Sequence, residues 1–175
     1  IIGFCSMASE GAMFDWSGVY FKDVVHAPAS LVILGYTSFM IMMASGRFMA
    51  DFLIKKIGRK KLMQICGTMI STGLFTAVFF PYLIPSTLAF MLVGLGVSSI
   101  VPTVYSSAGK HPSIPPGIAL ATVSSVSFLG FLMGPPLIGY IAEAFGLRYS
   151  FAVIGVFGIG ITLMVSRVQA LKDEH

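Results

Sequence analysis

The chain has 175 residues, of which 56% are hydrophobic and only 10% are Asp, Glu, Lys or Arg, and its mean hydropathy is +0.90. Soluble domains carry about 25% charged residues, so this composition excludes an ordinary water-soluble domain. The net charge of +4 does not indicate nucleic-acid binding, because the basic residues flank apolar segments and form no basic face with interleaved aromatic residues.

Long segments without charge predict helices that cross a lipid bilayer. Residues 62–109 contain no charged residue, and as a helix they would measure about 70 Å, enough for two crossings of a hydrocarbon layer of about 30 Å. Barrel strands would instead alternate apolar and polar residues. The sequence therefore predicts an all-α membrane protein with six transmembrane helices. In chain order they run from before residue 1 to about 21, and then over about 30–52, 62–80, 86–108, 116–144 and 148–168.

The first predicted helix contains an acid, Glu10, inside its apolar segment. Glu10 lies six residues before Trp16, which we expect at a membrane interface, so the acid is roughly 9 Å deeper. An ionisable residue at such depth is by default a candidate functional residue. Ser6, Met13 and Ser17 share its helical face, which we expect to point at a central cavity. Glu10 is a candidate for binding a proton, a cation or a sugar hydroxyl; the alternative is that it pairs with a basic residue outside this chain.

The segment "GRFMADFLIKKIGRKK", residues 46–61, ends the second predicted helix and holds six of the eleven Lys and Arg residues. The positive-inside rule places such a segment in the cytoplasm, which puts both ends of the chain there and predicts a multi-pass protein of the inner (plasma) membrane. Arg47 and Asp51 are spaced to pair on one helical face. On the outer side we expect an aromatic belt of Trp16, Tyr20, Phe21, Phe79, Phe80 and Tyr82.

The fourth and fifth predicted helices contain further polar candidates. Ser98 and Tyr105 share a helical face, and Ser124 lies in the fifth helix; these side chains are candidates for contacting a solute, although serines in membrane helices commonly bond their own backbone. Gly130 and Gly134 form a GxxxG pair, which favours close helix packing. With Pro135 following, a hinge is also plausible.

A weak internal echo predicts an inverted repeat. The pattern Gly46, Asp51, Gly58, Arg59 at the end of the second helix returns as Gly139, Glu143, Gly146, Arg148 at the end of the fifth. With three helices per unit the two copies lie on opposite membrane faces, as in many transporters. The predicted units are residues 1–84 and 85–168, followed by a cytoplasmic tail, 169–175.

These residues resemble the major facilitator superfamily. Its loop between the second and third helices of each half is matched by Gly46, Asp51, Gly58, Arg59, Lys60 and Lys61, although Asp51 and Gly58 are four residues further apart than usual. "GLRYSF" (146–151) and "GFLMGPPLIG" (130–139) resemble the motifs of the last two helices of a half. "ASEGAMFDWSGVY" (8–20) and "VPTVYSSAG" (101–109) are most similar to the fucose-permease-like and YbjJ-like groups.

The resemblance implies the C-terminal six-helix half of a twelve-helix transporter, in which the basic segment, Gly134, Pro135 and Arg148 act in gating. We therefore expect a secondary active transporter performing proton-coupled uptake of a small polar solute such as a sugar. Proton-driven efflux is the alternative. An intramembrane serine protease is a distant one, because "GVSS" (96–99) has no histidine within a predicted span. The predicted partners are the solute, the bilayer and either an N-terminal half or a second copy; neither a cofactor nor a metal site is predicted.

Overall fold

The computed structural model describes residues 1–110 and 114–168, which form six α-helices and contain no strand. The helices are α1 (Ile2–Asp23), α2 (Ile33–Ile57), α3 (Arg59–Phe79), α4 (Leu83–Ala108), α5 (Pro116–Phe145) and α6 (Leu147–Arg167). The predicted all-α fold is therefore confirmed, whereas the predicted tail, 169–175, lies outside the described residues.

The basic segment is helical almost throughout, which corrects the predicted helix boundaries. The second helix does not end near residue 52 but continues to Ile57, and α3 begins at Arg59 instead of near residue 62. A single residue, Gly58, connects them. Its φ of 81° and ψ of 156° lie in a region that is essentially open only to glycine. Gly146 connects α5 to α6 with nearly the same conformation, φ 95° and ψ 155°.

Five of the helices within the described part, α2 to α6, are long and apolar enough to span a membrane. The exception, α1, is of similar length but contains Glu10 and Asp15. It packs against α5, α6, α4 and α2, and twelve of its 22 residues are buried. Because these neighbours surround it, most of its polar side chains face protein and not lipid, and α1 spans as part of the bundle.

The helix contacts have an approximate internal two-fold symmetry. α1 packs along α5 as α4 packs along α2, and α3 crosses α6. A Cβ built at Gly11 of α1 would lie 2.6 Å from the carbonyl oxygen of Phe131, and one at Gly94 of α4 would meet the carbonyl oxygen of Phe39. An inverted repeat predicts that the α1–α5 contact of one unit corresponds to the α4–α2 contact of the other. The boundary between the units at residues 84 and 85 stays a prediction.

Two basic side chains join α3 to α6 at opposite ends of the bundle. Lys60 Nζ donates to the carbonyl oxygen of Ser166 at 2.9 Å, and Arg148 donates to that of Val78 from Nε at 3.1 Å and from Nη2 at 2.6 Å. The two donor positions, 60 and 148, are 88 residues apart, and so are the two acceptor positions, 78 and 166. Each cation satisfies a carbonyl that the last helical turn leaves without a partner. We call these two contacts the terminal latches.

The core is richest in aromatic rings where α1, α4 and α6 meet. The ring centroids of Tyr20 and Phe151 are 4.4 Å apart, and those of Phe90 and Phe151 are 5.7 Å apart. Tyr20 and Phe21 are fully buried, and the Tyr20 hydroxyl donates to the carbonyl oxygen of Ala77 at 2.8 Å. The prediction that these two residues belong to an outer aromatic belt is therefore wrong. Three other predicted belt residues are exposed: Phe79, Phe80 and Tyr82.

Candidate functional site

The candidate site is an ion pair between α1 and α2. Arg47 Nη2 lies 3.1 Å from Glu10 Oε1. Glu10 lies about 12 Å along α1 from its start, and Arg47 about 15 Å along α2 from its end at Ile57. The pair is thus well inside the apolar part of both helices.

Burial is unequal between the two partners. The Glu10 side chain is only 9% exposed, whereas that of Arg47 is 50% exposed. A carboxylate with so little water contact depends on its partner to stay charged. The guanidinium has further donors, which remain open to a ligand or to water on the exposed side of α2.

The structure corrects two expectations about this region. Ser6, Glu10, Met13 and Ser17 do share one face of α1, but all four are buried; the face is turned toward helices of this chain and not toward an open cavity. Arg47 pairs with Glu10 and not with Asp51, which is exposed. Glu10 thus pairs with a basic residue of this chain, whereas the alternative interpretation placed its partner outside the chain.

A cluster of aromatic rings joins α1, α2 and α5 one helical turn along α1 from Glu10. The Phe14 ring, one helical turn from Glu10, is 6.1 Å from Tyr36, 6.0 Å from Phe39 and 5.9 Å from Phe131 between centroids. Tyr36 is 37% exposed, so the cluster reaches the open side of the bundle. Sequence reasoning missed it, although the spacing of four between Glu10 and Phe14 was a usable signal.

The other predicted solute contacts do not gather around Glu10. Ser98 is 1% exposed; its hydroxyl donates to the carbonyl oxygen of Leu95 at 2.6 Å, and it packs where a Cβ at Gly46 would otherwise sit. It is therefore a packing residue between α4 and α2. Tyr105 and Ser124 are partly exposed, and no hydrogen bond within the described ranges joins either of them to Glu10.

The glycine–proline segment of α5 serves helix packing. A Cβ at Gly130 or Gly134 would meet the carbonyl oxygen of Phe4 or Ala8 in α1. The Trp16 indole donates to the carbonyl oxygen of Pro135 at 3.1 Å. The predicted hinge stays a prediction, while close packing, the usual use of GxxxG, is what the contacts show.

The remaining motif residues are spread over both ends of the bundle. Gly58 and Arg59 lie at the α2–α3 connection, and Lys60 and Arg148 form the terminal latches. Within the described ranges, no group of three or more His, Cys, Asp or Glu side chains is placed to hold a metal ion.

Six membrane helices arranged as an inverted repeat are typical of one half of a twelve-helix transporter. The family model of the Major Facilitator Superfamily matches residues 1–173. The chain belongs to this superfamily, which consists of transporters and not of enzymes. The similarity to its fucose-permease-like group stays a prediction.

Three relatives show what the chain is similar to. It is 34% identical to the membrane protein MosC of Rhizobium meliloti over all 175 residues, which cover 42% of MosC. It is 31% identical to an uncharacterized MFS-type transporter of Yersinia pestis over 87% of the chain and 40% of the relative. It is 30% identical to the multi-drug resistance efflux pump PmrA of Streptococcus pneumoniae over 60% of the chain and 26% of the pump. The chain thus spans less than half the length of these relatives.

Proposed function

We propose that this chain is one half of a proton-coupled secondary transporter that works by alternating access, and that Glu10 carries the proton. The observation that carries this proposal is the ion pair of a buried carboxylate with a half-exposed guanidinium. Protonation of Glu10 cancels its charge, so the attraction between α1 and α2 is lost and the Arg47 guanidinium is released. Loss of the proton restores the pair and with it the packing of the two helices.

The proposal requires a second six-helix bundle, either an N-terminal half or a second copy of this chain. Over their most apolar 18 residues, only 28% of α2 and 22% of α5 is buried within this chain, whereas 39–56% of the corresponding segments of α3, α4 and α6 is buried. Arg47 is half exposed on α2, and a charge at that depth is costly against lipid. We infer that the partner bundle covers α2 and α5 and that the solute binds between the bundles.

The basic end of the bundle, where Gly58 connects α2 to α3, is the side that we propose to be cytoplasmic, in the inner (plasma) membrane. Lys55, Lys56 and Lys61 are exposed there, and lysines at a helix end favour the cytoplasmic side. The start of α1 and the end of α6 would then share that side.

For the solute and the direction of transport, two candidates stand. Uptake of a polar solute such as a sugar stays a prediction, but it loses the support of Ser6 and Ser98, which are buried within the bundle. Proton-driven efflux of an amphipathic solute is favoured by the aromatic cluster of Phe14, Tyr36 and Phe131 beside the ion pair and by the similarity to an efflux pump. We rank efflux first.

Proton coupling is tested with the full-length protein in proteoliposomes that contain a pH-sensitive dye. We expect solute-dependent proton movement in the native protein, loss of gradient-driven accumulation in Glu10→Gln and retention of solute exchange. Asp15→Asn, in the same helix but exposed, is the matched control and should keep accumulation. Unchanged accumulation in Glu10→Gln would show that the proton binds elsewhere.

The two solute candidates are separated in the same vesicles by a panel of sugars and amphipathic aromatic dyes. Efflux predicts that the dyes drive proton movement in the opposite direction to their own transport and that sugars do not. Sugar-driven proton movement in the same direction as the sugar would overturn our ranking while leaving the role of Glu10 intact.

A further inference from the structure

A cleft on the basic end of the bundle belongs to none of the features described so far. It has a volume of about 220 Å³ and lies between α2, α3 and α4. Its walls are mostly apolar and include Leu53 of α2 and the buried Leu62 and Cys66 of α3. Met49 and Ile65, which also line it, are 51% and 47% exposed, so the cleft opens sideways toward the surface of the bundle.

The cleft exists because α2 and α3 diverge from their connection at Gly58. α2 packs mainly on α4, whereas α3 packs on both α6 and α4, and α2 and α3 make few contacts with one another. Gly46 lines the α2 wall, and Leu95, Ser98 and Ser99 line the α4 wall. An apolar space of this kind, open to the bilayer, excludes polar ligands and favours a hydrocarbon chain.

Positive charge flanks the mouth. Ile57 and Leu62 line the cleft at its basic end, and the residues next to them, Lys56 and Lys61, are exposed. Neither lysine forms an ion pair with an acid within the described ranges, and Lys56 Nζ lies over the Phe52 ring, 6.0 Å from its centroid. Asp51, the acid of α2, lies five residues from Gly46, which places it on the far side of the helix at about 100° per residue.

We propose that the cleft binds one acyl chain of an anionic phospholipid from the leaflet at the basic end, with the lipid phosphate held by Lys56 and Lys61. The lining selects a hydrocarbon chain, and the two lysines select a negative headgroup. Gly46 lines the cleft and Arg47 follows it in α2. An occupied cleft therefore holds in place the segment of α2 that carries the partner of Glu10.

A cysteine introduced at position 65 provides a probe of occupancy, because Ile65 lines the cleft and is 47% exposed, whereas the native Cys66 is only 2% exposed. In the full-length Ile65→Cys protein with its native cysteines replaced by serine, we would measure the rate at which a bilayer-permeant maleimide labels position 65 in nanodiscs. Phosphatidylcholine nanodiscs with and without phosphatidylglycerol are compared. We expect slower labelling with phosphatidylglycerol, and a loss of about fivefold of this protection for each of Lys56→Gln and Lys61→Gln.

Two controls make the result specific. Lys55→Gln removes the same charge from the opposite side of α2 and should keep the protection. A variant with its single cysteine at position 163 of α6, where the native Leu163 is 61% exposed and does not line the cleft, should be labelled equally in both lipid mixtures. Native mass spectrometry of the same variants counts retained phosphatidylglycerol directly, so a variant with altered packing at position 65 still gives an answer.

Three results would overturn the proposal. Equal protection of position 65 by both lipids would mean that any hydrocarbon fills the cleft without charge selection. Equal loss of protection in Lys55→Gln would mean general attraction to an anionic surface. A cysteine at position 65 that is unreactive in detergent as well would mean that protein, such as the second bundle, covers the cleft.

Discussion

Glu10 illustrates what a single residue reveals from sequence and what it does not. Its position in an apolar helix and its distance from Trp16 identified it as a candidate site. Its partner could not be identified, because Arg47 is 37 residues away on another helix. Asp51, four residues after Arg47, was the nearer acid with which that arginine could have paired. The same limit applied to Tyr20 and Phe21, since an aromatic residue near a helix end can face either lipid or a neighbouring helix.

At this scale we predict unequal costs of breaking the ion pair. Arg47→Gln leaves a buried carboxyl without a partner and should lower the free energy of unfolding by about 1–3 kcal/mol. Glu10→Gln leaves only a half-exposed guanidinium and should cost less. Thermal unfolding of the full-length variants in detergent measures both, with Asp51→Asn as the control.

The pH dependence of that cost provides a second check. The loss in Arg47→Gln should be larger at high pH, where the unpaired Glu10 is charged, and smaller at low pH, where it is neutral. A Glu10→Gln/Arg47→Gln double variant that is no more stable than Arg47→Gln at high pH would contradict the coupling between the two residues.

The connection glycine Gly146 leads to a separate prediction. A Cβ at Gly146 would have no neighbour within 4 Å, so only the backbone conformation opposes a side chain there. Gly146→Ala should therefore cost about 1–3 kcal/mol. Gly160→Ala in α6, which also has open space but an ordinary helical conformation, should be neutral or stabilising. Equal midpoints of thermal unfolding for the two variants would contradict the backbone explanation.

At the scale of helices, charge-free segments were sufficient to predict how many helices there are and roughly where they lie. Boundaries at the basic end were wrong because lysines and arginines were taken to mark a loop, whereas helices continue into the headgroup layer. The internal echo correctly paired Gly58 with Gly146. The pairing of α1 with α5 and of α2 with α4 required three-dimensional contacts, since glycines occur along every helix.

The close approach of α1 and α5 predicts the effect of filling it. Gly134→Leu would drive a side chain into the backbone of Ala8 and should separate the helices, with a stability loss of more than about 3 kcal/mol. Gly117→Leu at the start of α5 meets nothing within 4 Å and is the control. Thermal unfolding of both full-length variants in detergent measures the difference. Equal unfolding midpoints would show that the helices tolerate the added volume.

At the scale of the whole molecule, one six-helix bundle leaves α2 and α5 poorly covered and a guanidinium exposed at mid-span. These features follow from the fold and could not have been obtained from composition. We propose the orientation of the bundle from charge alone, because the lysines at the α2–α3 connection have no counterpart of similar density at the α3–α4 connection.

The central claim is that six helices cross a bilayer with the α2–α3 connection on the cytoplasmic side, as a half-transporter requires. Single cysteines at positions 61 and 82, both exposed and at opposite ends of α3, test it in intact cells expressing the full-length protein. An impermeant maleimide should label position 82 at once and position 61 only after the membrane is permeabilised. Labelling of position 61 from outside intact cells would contradict the account.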